Sequence, residues 1–344
     1  MRSALFKIHR ELKATFTEFA GWKVPLHFGS PLEEAVSVRK VCGIFDVSHM
    51  GRLIVEGNKA KDILQWLTTN NVEALKPGYV QYNLFVNERG GIRDDVTVYL
   101  IEEGVYMLCV NAINRNKIRE LLLNYVKVRD ITEDTVQIAV QGPESEGILN
   151  KFFDISEIRY YRFRTFGNII VSRTGYTGEK GYEIYAPVEE GKELFSELLK
   201  YCTVCGLASR DILRIEAGFP LYGNEIDEDI TPLEASLERF IFKDKEFLGK
   251  EDMFNRSITK KLFKFMVKGK GIPRKDYKIW NKNGEAGYVT SGTFSPTYGK
   301  GVGMAFIHAD KFKDGSFYID IRGRKLEIEI IDNLLKLLKS YKTN

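Results

Sequence analysis

The chain has little of what marks several large protein classes. Its 344 residues contain four cysteines, at 42, 109, 202 and 205, too few and too scattered for a secreted disulfide framework. No apolar run approaches the roughly 18 residues of a membrane-spanning helix; the longest, such as Val105–Val110, are strand-sized. Charge of one sign is not in excess: 51 basic and 47 acidic residues leave +4, too balanced to indicate a nucleic-acid binder. Residues 1–10 have no apolar stretch and lead directly to Glu11, so no signal peptide is expected, and the cytoplasm is the expected compartment. No phosphate loop with a Lys-Ser/Thr ending is present, nor a Gly-x-Gly-x-x-Gly turn opening a helix, which argues against nucleotide and dinucleotide sites. The four histidines, His9, His27, His49 and His308, lack His-x-x-x-His spacing, and Cys202-x-x-Cys205 has no second pair to complete four zinc ligands. No metal is expected, and the two thiols read better as buried than as a redox pair.

What is present is an ordinary globular composition, 44% apolar and 28% charged, over a length that implies two or three domains. Residues 19–30 are aromatic and punctuated by Gly and Pro, and read as loop and extended chain. A short helix is expected over 33–40, a strand over Gly51–Glu56 and a helix over 59–69, where Ile63, Leu64 and Leu67 recur at helical spacing. The runs 81–87 and 95–101, separated by Glu-Arg-Gly-Gly, give a hairpin signal. A third strand over Val105–Val110 and an amphipathic helix over 112–126 follow. The same succession returns as a strand over 136–140, a helix from Pro143 to about 153, strands over Ile169–Ser172 and 182–186, and a helix over 189–201. After a charged boundary at 245–262 come short β runs at 263–267, 285–290, 303–307, 316–321 and 326–330, the cadence of a small all-β domain. The tail 333–341 is lysine-rich with helical spacing.

Several short stretches carry candidate chemistry. Gly90-Gly-Ile-Arg-Asp-Asp95 sets two carboxylates at a strand entrance, where alternation sends one to the core or a cleft and the other to solvent. On a dry face such a group gains proton affinity and suits acid–base work; by itself the hexapeptide reads better as a solvated turn. Arg173-Thr-Gly-Tyr-Thr-Gly-Glu-Lys-Gly-Tyr-Glu183 combines a free backbone, flat tyrosine faces and a carboxylate able to accept two parallel hydrogen bonds, which suits an aminopyrimidine or pterin ring. Ala208-Ser-Arg-Asp-Ile-Leu-Arg-Ile-Glu-Ala217 is a helix with an Arg/Asp/Arg/Glu ladder whose plainest reading is a salt-bridge network. Asp46-Val-Ser-His49 places triad residue types side by side, but a triad assembles in space, and capping and packing of a loop is the better reading. Thr290-Ser-Gly-Thr-Phe-Ser-Pro-Thr297 adds a hydroxyl-rich loop.

In order and spacing these segments resemble the aminomethyltransferases (T-proteins) of the glycine cleavage system. The matching pieces are Ala20-Gly-Trp-Lys-Val-Pro-Leu-His27, Phe45-Asp-Val-Ser-His-Met50, Gly90-Gly-Ile-x-Asp-Asp95, Val140-Gln-Gly-Pro143, Gly175-Tyr-Thr-Gly-Glu179, Ala208-x-Arg-Asp211, Arg214-x-Glu-Ala217, Leu221-Tyr-Gly223 and Thr290-Ser-Gly-x-Phe-Ser-Pro-Thr297. The Lys-Gly-Cys-Tyr motif of the related iron–sulfur-repair folate proteins is missing; Leu221-Tyr-Gly-Asn-Glu225 stands there, and the length leaves no room for a fused flavin domain.

The resemblance implies an α+β, three-lobed folate-binding fold: two α+β lobes with antiparallel sheets and helices, plus a C-terminal β-barrel or jelly-roll-like domain. It assigns residues 1–250 to a folate-binding region of two intertwined lobes, about 1–45 with 135–250 and about 46–134, and residues 251–344 to the barrel. It further implies transfer of an aminomethyl carbon from the lipoyl group of H-protein to tetrahydrofolate, a co-substrate, with release of ammonia and formation of 5,10-methylenetetrahydrofolate. By position Asp95 corresponds to the family's catalytic aspartate, Glu183 to the carboxylate that grips the pterin edge, and Arg210 to the substrate-binding arginine. Tyr82, Asn111, Tyr160, Tyr176 and Met50 fall where the family lines its folate pocket. Partners implied are lipoylated H-protein and tetrahydrofolate, with no nucleic acid and no membrane. Two other readings share the residues: another folate-dependent one-carbon transferase or demethylase of the same fold, and a non-catalytic folate-binding protein. Departures from the family are Arg93, where an apolar residue is usual beside Asp95, and the lysine-rich tail, which leaves open whether Tyr341 takes the place of a ligand-touching tyrosine.

Overall fold

The computed structural model describes residues 1–312, 315–332, 334 and 338. The chain is α+β with a C-terminal closed barrel, and it forms two compact units. The first comprises Met1–Val86, Arg93–Arg210 and Phe242–Leu248; the second comprises Asn87–Ile92, Asp211–Ile241 and Gly249–Asn344.

The first unit is built on two sheets. One runs in the order Phe163–Phe166, Ile169–Ser172, Gly181–Pro187, Thr135–Gln141, Gly43–Asp46 and Thr203–Cys205. The other runs Val80–Val86, Ile92–Glu102, Val105–Val110, Gly51–Glu56 and Lys127–Asp130. Period-two alternation gives each sheet two working faces. In Gly181–Pro187, Tyr182, Ile184 and Ala186 enter a core with Val136, Ile138, Val140, Phe195 and Leu198, the last two from the helix Val188–Leu198. In Ile92–Glu102, Val96, Val98 and Leu100 pack with Leu53, Val55, Leu64, Leu108, Ile118 and Leu122, under the helices Ala60–Leu67 and Arg115–Leu123. The opposite faces meet each other through Ile54, Val80, Tyr99, Met107 and Cys109 from one sheet and Phe163 and Tyr185 from the other.

Several sequence expectations change at this level. Residues 19–30 are not loop throughout: Trp22–His27 is a strand paired with Thr15–Phe19. Its two-residue turn has Ala20 at φ +48 and Gly21 at φ +77, the left-handed pair that matches the twist of a hairpin. Pro25 is tolerated because this ladder has only two strands. The helix after Pro143 spans only Ser145–Leu149, since the Asn150 side chain accepts the Ile155 N–H at 3.1 Å and turns the chain away. The run expected as helix from 112 opens with a 3₁₀ turn, Ala112–Asn114. Arg93 lies in Ile92–Glu102 without interrupting it. The four cysteines are free and buried, with Cys202 Sγ 3.2 Å from Cys42 Sγ.

In the second unit six strands close a barrel in the order Lys260–Val267, Lys300–His308, Gly284–Ser295, Lys278–Asn281, Phe317–Ile321 and Arg324–Ile331, the last pairing back on the first. Phe265, Ile279, Val289, Ala305, Ile307, Ile319 and Ile328 fill it. The expected ladder on Leu207–Ala217 is partly a salt-bridge network. Arg214 pairs with Asp211 at 2.8 Å and Glu225 at 3.0 Å, while Glu216 accepts from the hydroxyls of Ser295 and Thr297. The lysine-rich tail and Tyr341 lie outside the described residues, apart from Leu334 and Leu338. Among the described residues no helix is long and apolar enough to cross a membrane.

Candidate active site

The facing surfaces of the two sheets in the first unit carry polar side chains among the apolar ones. Steps of two along Ile92–Glu102 put Asp95 and Tyr99 on this face, and steps of two along Gly181–Pro187 put Glu183 and Tyr185 on it. Tyr99 Oη and Tyr185 Oη are 2.8 Å apart at the centre of the layer, and Ser172, Thr174 and Gln137 surround them. Met50 and Tyr161 pack at its margin.

Asp95 is held by two neutral donors. Tyr82 Oη donates to Oδ2 at 2.9 Å and Asn111 Nδ2 donates to Oδ1 at 2.6 Å. Burial raises the proton affinity of Asp95, and these two hydrogen bonds oppose it. Tyr82 is pushed well above the ordinary phenol value by burial and then by the Asp95 charge, so it stays a donor. The expectation that one carboxylate of the pair faces solvent is corrected. Asp94 is fully buried on the core face, and Asp95 is partly buried against Tyr82 and Asn111.

A second group surrounds Glu183, which is 7% exposed. Its carboxylate accepts from Thr174 Oγ1 at 2.6 Å and from Gln137 Nε2 at 3.3 Å, both neutral. The Arg210 guanidinium lies 4.9 Å from the centre of the Tyr176 ring, a cation–π distance. Burial lowers the Arg210 pKa and the Glu183 charge opposes that fall. Arg210 Nη1 is buried with no hydrogen-bond partner among the described residues, so Arg210 stands apart from the Arg214 network. The cavity beside it is lined by Val24, Phe45, His49, Gly206 and Leu207.

The Asp46–His49 stretch forms no local triad. Asp46 takes its hydrogen bonds from His9 Nε2 at 2.8 Å, Ser3 Oγ at 2.5 Å and the Ser48 N–H at 2.9 Å. His49 is 5% exposed, and burial followed by the Arg210 charge pushes it down to about 4. An unfolded imidazole takes its proton near 6.5, so between about pH 6.5 and 4 the unfolded chain binds the extra proton and acid favours unfolding. His49→Leu is therefore expected to flatten the acid loss of stability across that window by up to about 3 kcal/mol, measured by denaturant titration at a series of pH values. An unchanged slope would refute the buried neutral imidazole.

The structure thus brings Tyr82, Asp95 and Asn111 into direct contact and sets Glu183, Tyr176 and Arg210 together, with Met50 at the edge of the shared layer. Tyr160 is 67% exposed, with its ring centre 4.8 Å from that of Tyr161, which packs into the layer at φ +57. Tyr99, Tyr185, Gln137 and Tyr161 are the polar and aromatic residues that the sequence reading lacked. Alternation counted from Asp95 and Glu183 reaches the first two. Among the described residues no group of three or more His, Cys, Asp or Glu side chains is placed to hold a metal ion.

Comparison with known proteins decides the lineage. Residues 5–245 match the GCVT N-terminal domain and residues 260–335 match the glycine cleavage T-protein C-terminal barrel domain. The chain belongs to the glycine cleavage T-protein family. Among T-protein relatives, the aminomethyltransferase of Aquifex aeolicus is 51% identical over 327 residues, covering 95% of this chain and 93% of that protein. That of Caldanaerobacter subterraneus subsp. tengcongensis is 40% identical over 364 residues, covering 99% and 97%. The crystal structure of the glycine cleavage system aminomethyltransferase T from Bartonella henselae superposes with a TM-score of 0.92 at 28% identity, over 97% of this chain and 98% of the other. The T-protein architecture expected from the sequence, α+β with a C-terminal barrel, is the one observed.

Proposed function

We propose that this protein transfers the methylene carbon of an aminomethyl group from the lipoyl sulfur of H-protein to tetrahydrofolate: the C–S and C–NH2 bonds break, two C–N bonds to the folate form, and the two displaced N–H protons leave on ammonia and on the lipoyl thiol, giving 5,10-methylenetetrahydrofolate. The observation that carries this reading is Asp95, a sheltered carboxylate bonded among the described residues only to neutral donors, in a chain whose relatives are aminomethyltransferases. In this reading residues 1–250 hold the folate and residues 251–344 form the C-terminal barrel domain.

The residues present suit a reduced pterin. Among the described residues Arg210 Nη1 is a buried donor lacking an acceptor, and each Glu183 oxygen retains a lone pair beyond its one neutral donor. Tetrahydrofolate, when bound, supplies the nitrogens that take up the carbon. Glu183 accepts from the N–H edge of the aminopyrimidine, and Arg210 and Tyr176 bound the same end of the site. Met50, Tyr82 and Asn111 line the pocket, and Tyr160 contributes at its exposed edge. Asp95, fixed by Tyr82 and Asn111, orients the attacking nitrogen. It stabilises positive charge at the methylene carbon while ammonia departs, and it relays a proton displaced from folate nitrogen, as a new C–N bond forms, toward the departing group.

Purified protein mixed with aminomethylated H-protein is expected to release ammonia only when tetrahydrofolate is present. A folate-independent rate, or no release at all, would exclude this assignment.

A further inference from the structure

Asp94 has no part in the mechanism above, yet its surroundings are unusual for a buried charge. Neighbours on a strand point to opposite faces, so Asp94 shares the core face with Val96 and Val98 while Asp95 faces the other sheet. A carboxylate on an apolar face costs several kcal/mol unless it is satisfied, and a cation is the usual compensation. Here, among the described residues, every donor is a neutral N–H: the Asn111 backbone at 3.1 Å, Asn111 Nδ2 at 2.8 Å and Asn114 Nδ2 at 2.7 Å. Both asparagines belong to the turn that follows Val105–Val110.

The Asn111 side chain is shared. Its Nδ2 is 2.8 Å from Asp94 Oδ1 and 2.6 Å from Asp95 Oδ1, with the Asp95 carbonyl at 3.1 Å. An amide has two hydrogens on nitrogen and lone pairs only on oxygen. Turned over, the Asn111 oxygen would face both carboxylates and repel them. We propose that Asp94 is a positioning residue for the transfer reaction: it locks the Asn111 amide in the one orientation that donates to Asp95. Asn114 and the Asn111 N–H anchor Asp94, Asp94 sets Asn111, and Asn111 with Tyr82 sets the plane of the Asp95 carboxylate. Burial, then the Asp95 charge, raises the proton affinity of Asp94, and the hydrogen bonds from Asn114 and Asn111 oppose that rise and favour the ionised acceptor.

The inference rests on the reading of Asp95 as the catalytic carboxylate, and the test separates the two. In the full-length protein, Asp94→Asn is expected to lower kcat for ammonia release by about tenfold or more, while KM and calorimetric affinity for tetrahydrofolate stay within about threefold. Because Asp94 acts through Asn111, the double variant Asp94→Asn/Asn111→Ala is expected to be no slower than the slower single variant. A folded Asp94→Asn protein with kcat within about threefold of the parent, or losses that multiply in the double variant, would overturn the proposal. If Asp94→Asn loses its cooperative melt, Asn114→Ala decides instead. Removing that anchor is expected to lower kcat by about threefold or more with tetrahydrofolate affinity unchanged, and an unchanged kcat overturns the proposal. Asp95→Ala is assayed alongside. If it stays active, the underlying reading fails; if it is inactive while Asp94→Asn is fully active, only this inference fails.

Discussion

Asp95→Ala is expected to lower kcat for aminomethyl transfer by about one hundred- to one thousand-fold, while tetrahydrofolate affinity falls by no more than about tenfold, or ~1.4 kcal/mol. The split follows from the placement of the carboxylate. In the proposed reading, recognition of a flat, donor-rich ring falls to Glu183, Arg210 and Tyr176, none of which hydrogen-bonds to Asp95 among the described residues. Removing Asp95 leaves that group intact. What disappears is the preorganised negative charge that meets positive charge developing at the carbon, and a group that acts only in the transition state appears in kcat. Asp95→Asn separates charge from shape. It keeps the volume and one acceptor, but its own N–H₂ then confronts the donors Tyr82 Oη or Asn111 Nδ2, and it is expected to be as slow as the alanine variant. Steady-state ammonia release and calorimetric titration with tetrahydrofolate measure the two quantities. Turnover within about threefold of the parent in either variant would remove Asp95 from the chemistry.

Arg52→Met is expected to destabilise the first unit by about 3–5 kcal/mol, among the larger effects open to a single substitution. Arg52 is fully buried. Its guanidinium donates to the carbonyls of Ser48, Met50, Thr132 and Thr135 and to the Thr135 hydroxyl, and among the described residues no carboxylate pairs with it. Burial pushes it down to about 10, which still leaves a cation at neutral pH. Methionine fills much of the volume but strands those carbonyls, and each buried unpaired acceptor costs about 1–3 kcal/mol before relaxation. Because the Ser48 and Met50 carbonyls lie on the segment that carries Met50 to the layer between the sheets, activity is expected to fall with stability. Thermal unfolding followed by circular dichroism is expected to show a midpoint lower by roughly 10 °C. A midpoint within about 2 °C would show that water or rearranged backbone satisfies these groups.

The elements that were legible in the sequence are those whose partners lie nearby. Gly51–Glu56, Val105–Val110 and Ile169–Ser172 appear with the bounds that alternation gives them. Five of the six barrel strands were recognised as short β runs, Lys278–Asn281 being missed, and pairing extends four of the five, most of all Gly284–Ser295. Gly43–Asp46 and Thr203–Cys205 left no mark. The first is buried at all four positions and so does not alternate, and the second is three residues long. Each depends on a partner more than 150 residues away. At the site, residue types and order were enough to single out Asp95, Glu183 and Arg210 as candidates, the resemblance supplying their roles. That Tyr161 reaches the layer between the sheets was hidden, because two identical side chains in succession are told apart only by the left-handed backbone at Tyr161, which no residue type announces. The sharing of Asn111 by two carboxylates was hidden for a related reason: adjacent strand residues diverge, and only a turn at the end of the next strand can touch both.

The pairing of Gly43–Asp46 has a consequence for how the chain is made. It is a central strand, flanked by Thr135–Gln141 on one side and Thr203–Cys205 on the other, and both arrive long after it. The five-stranded sheet lies wholly within residues 51–130, so its contacts close first, during a stretch of synthesis when the earlier strand has no neighbour. Non-local pairing of this kind is slow and leaves apolar backbone open to other chains in the meantime. A nascent chain that stops short of residue 135 therefore carries a finished inner lobe and an unsatisfied Gly43–Asp46, a species for holdase chaperones to bind and a point at which truncation turns into aggregation.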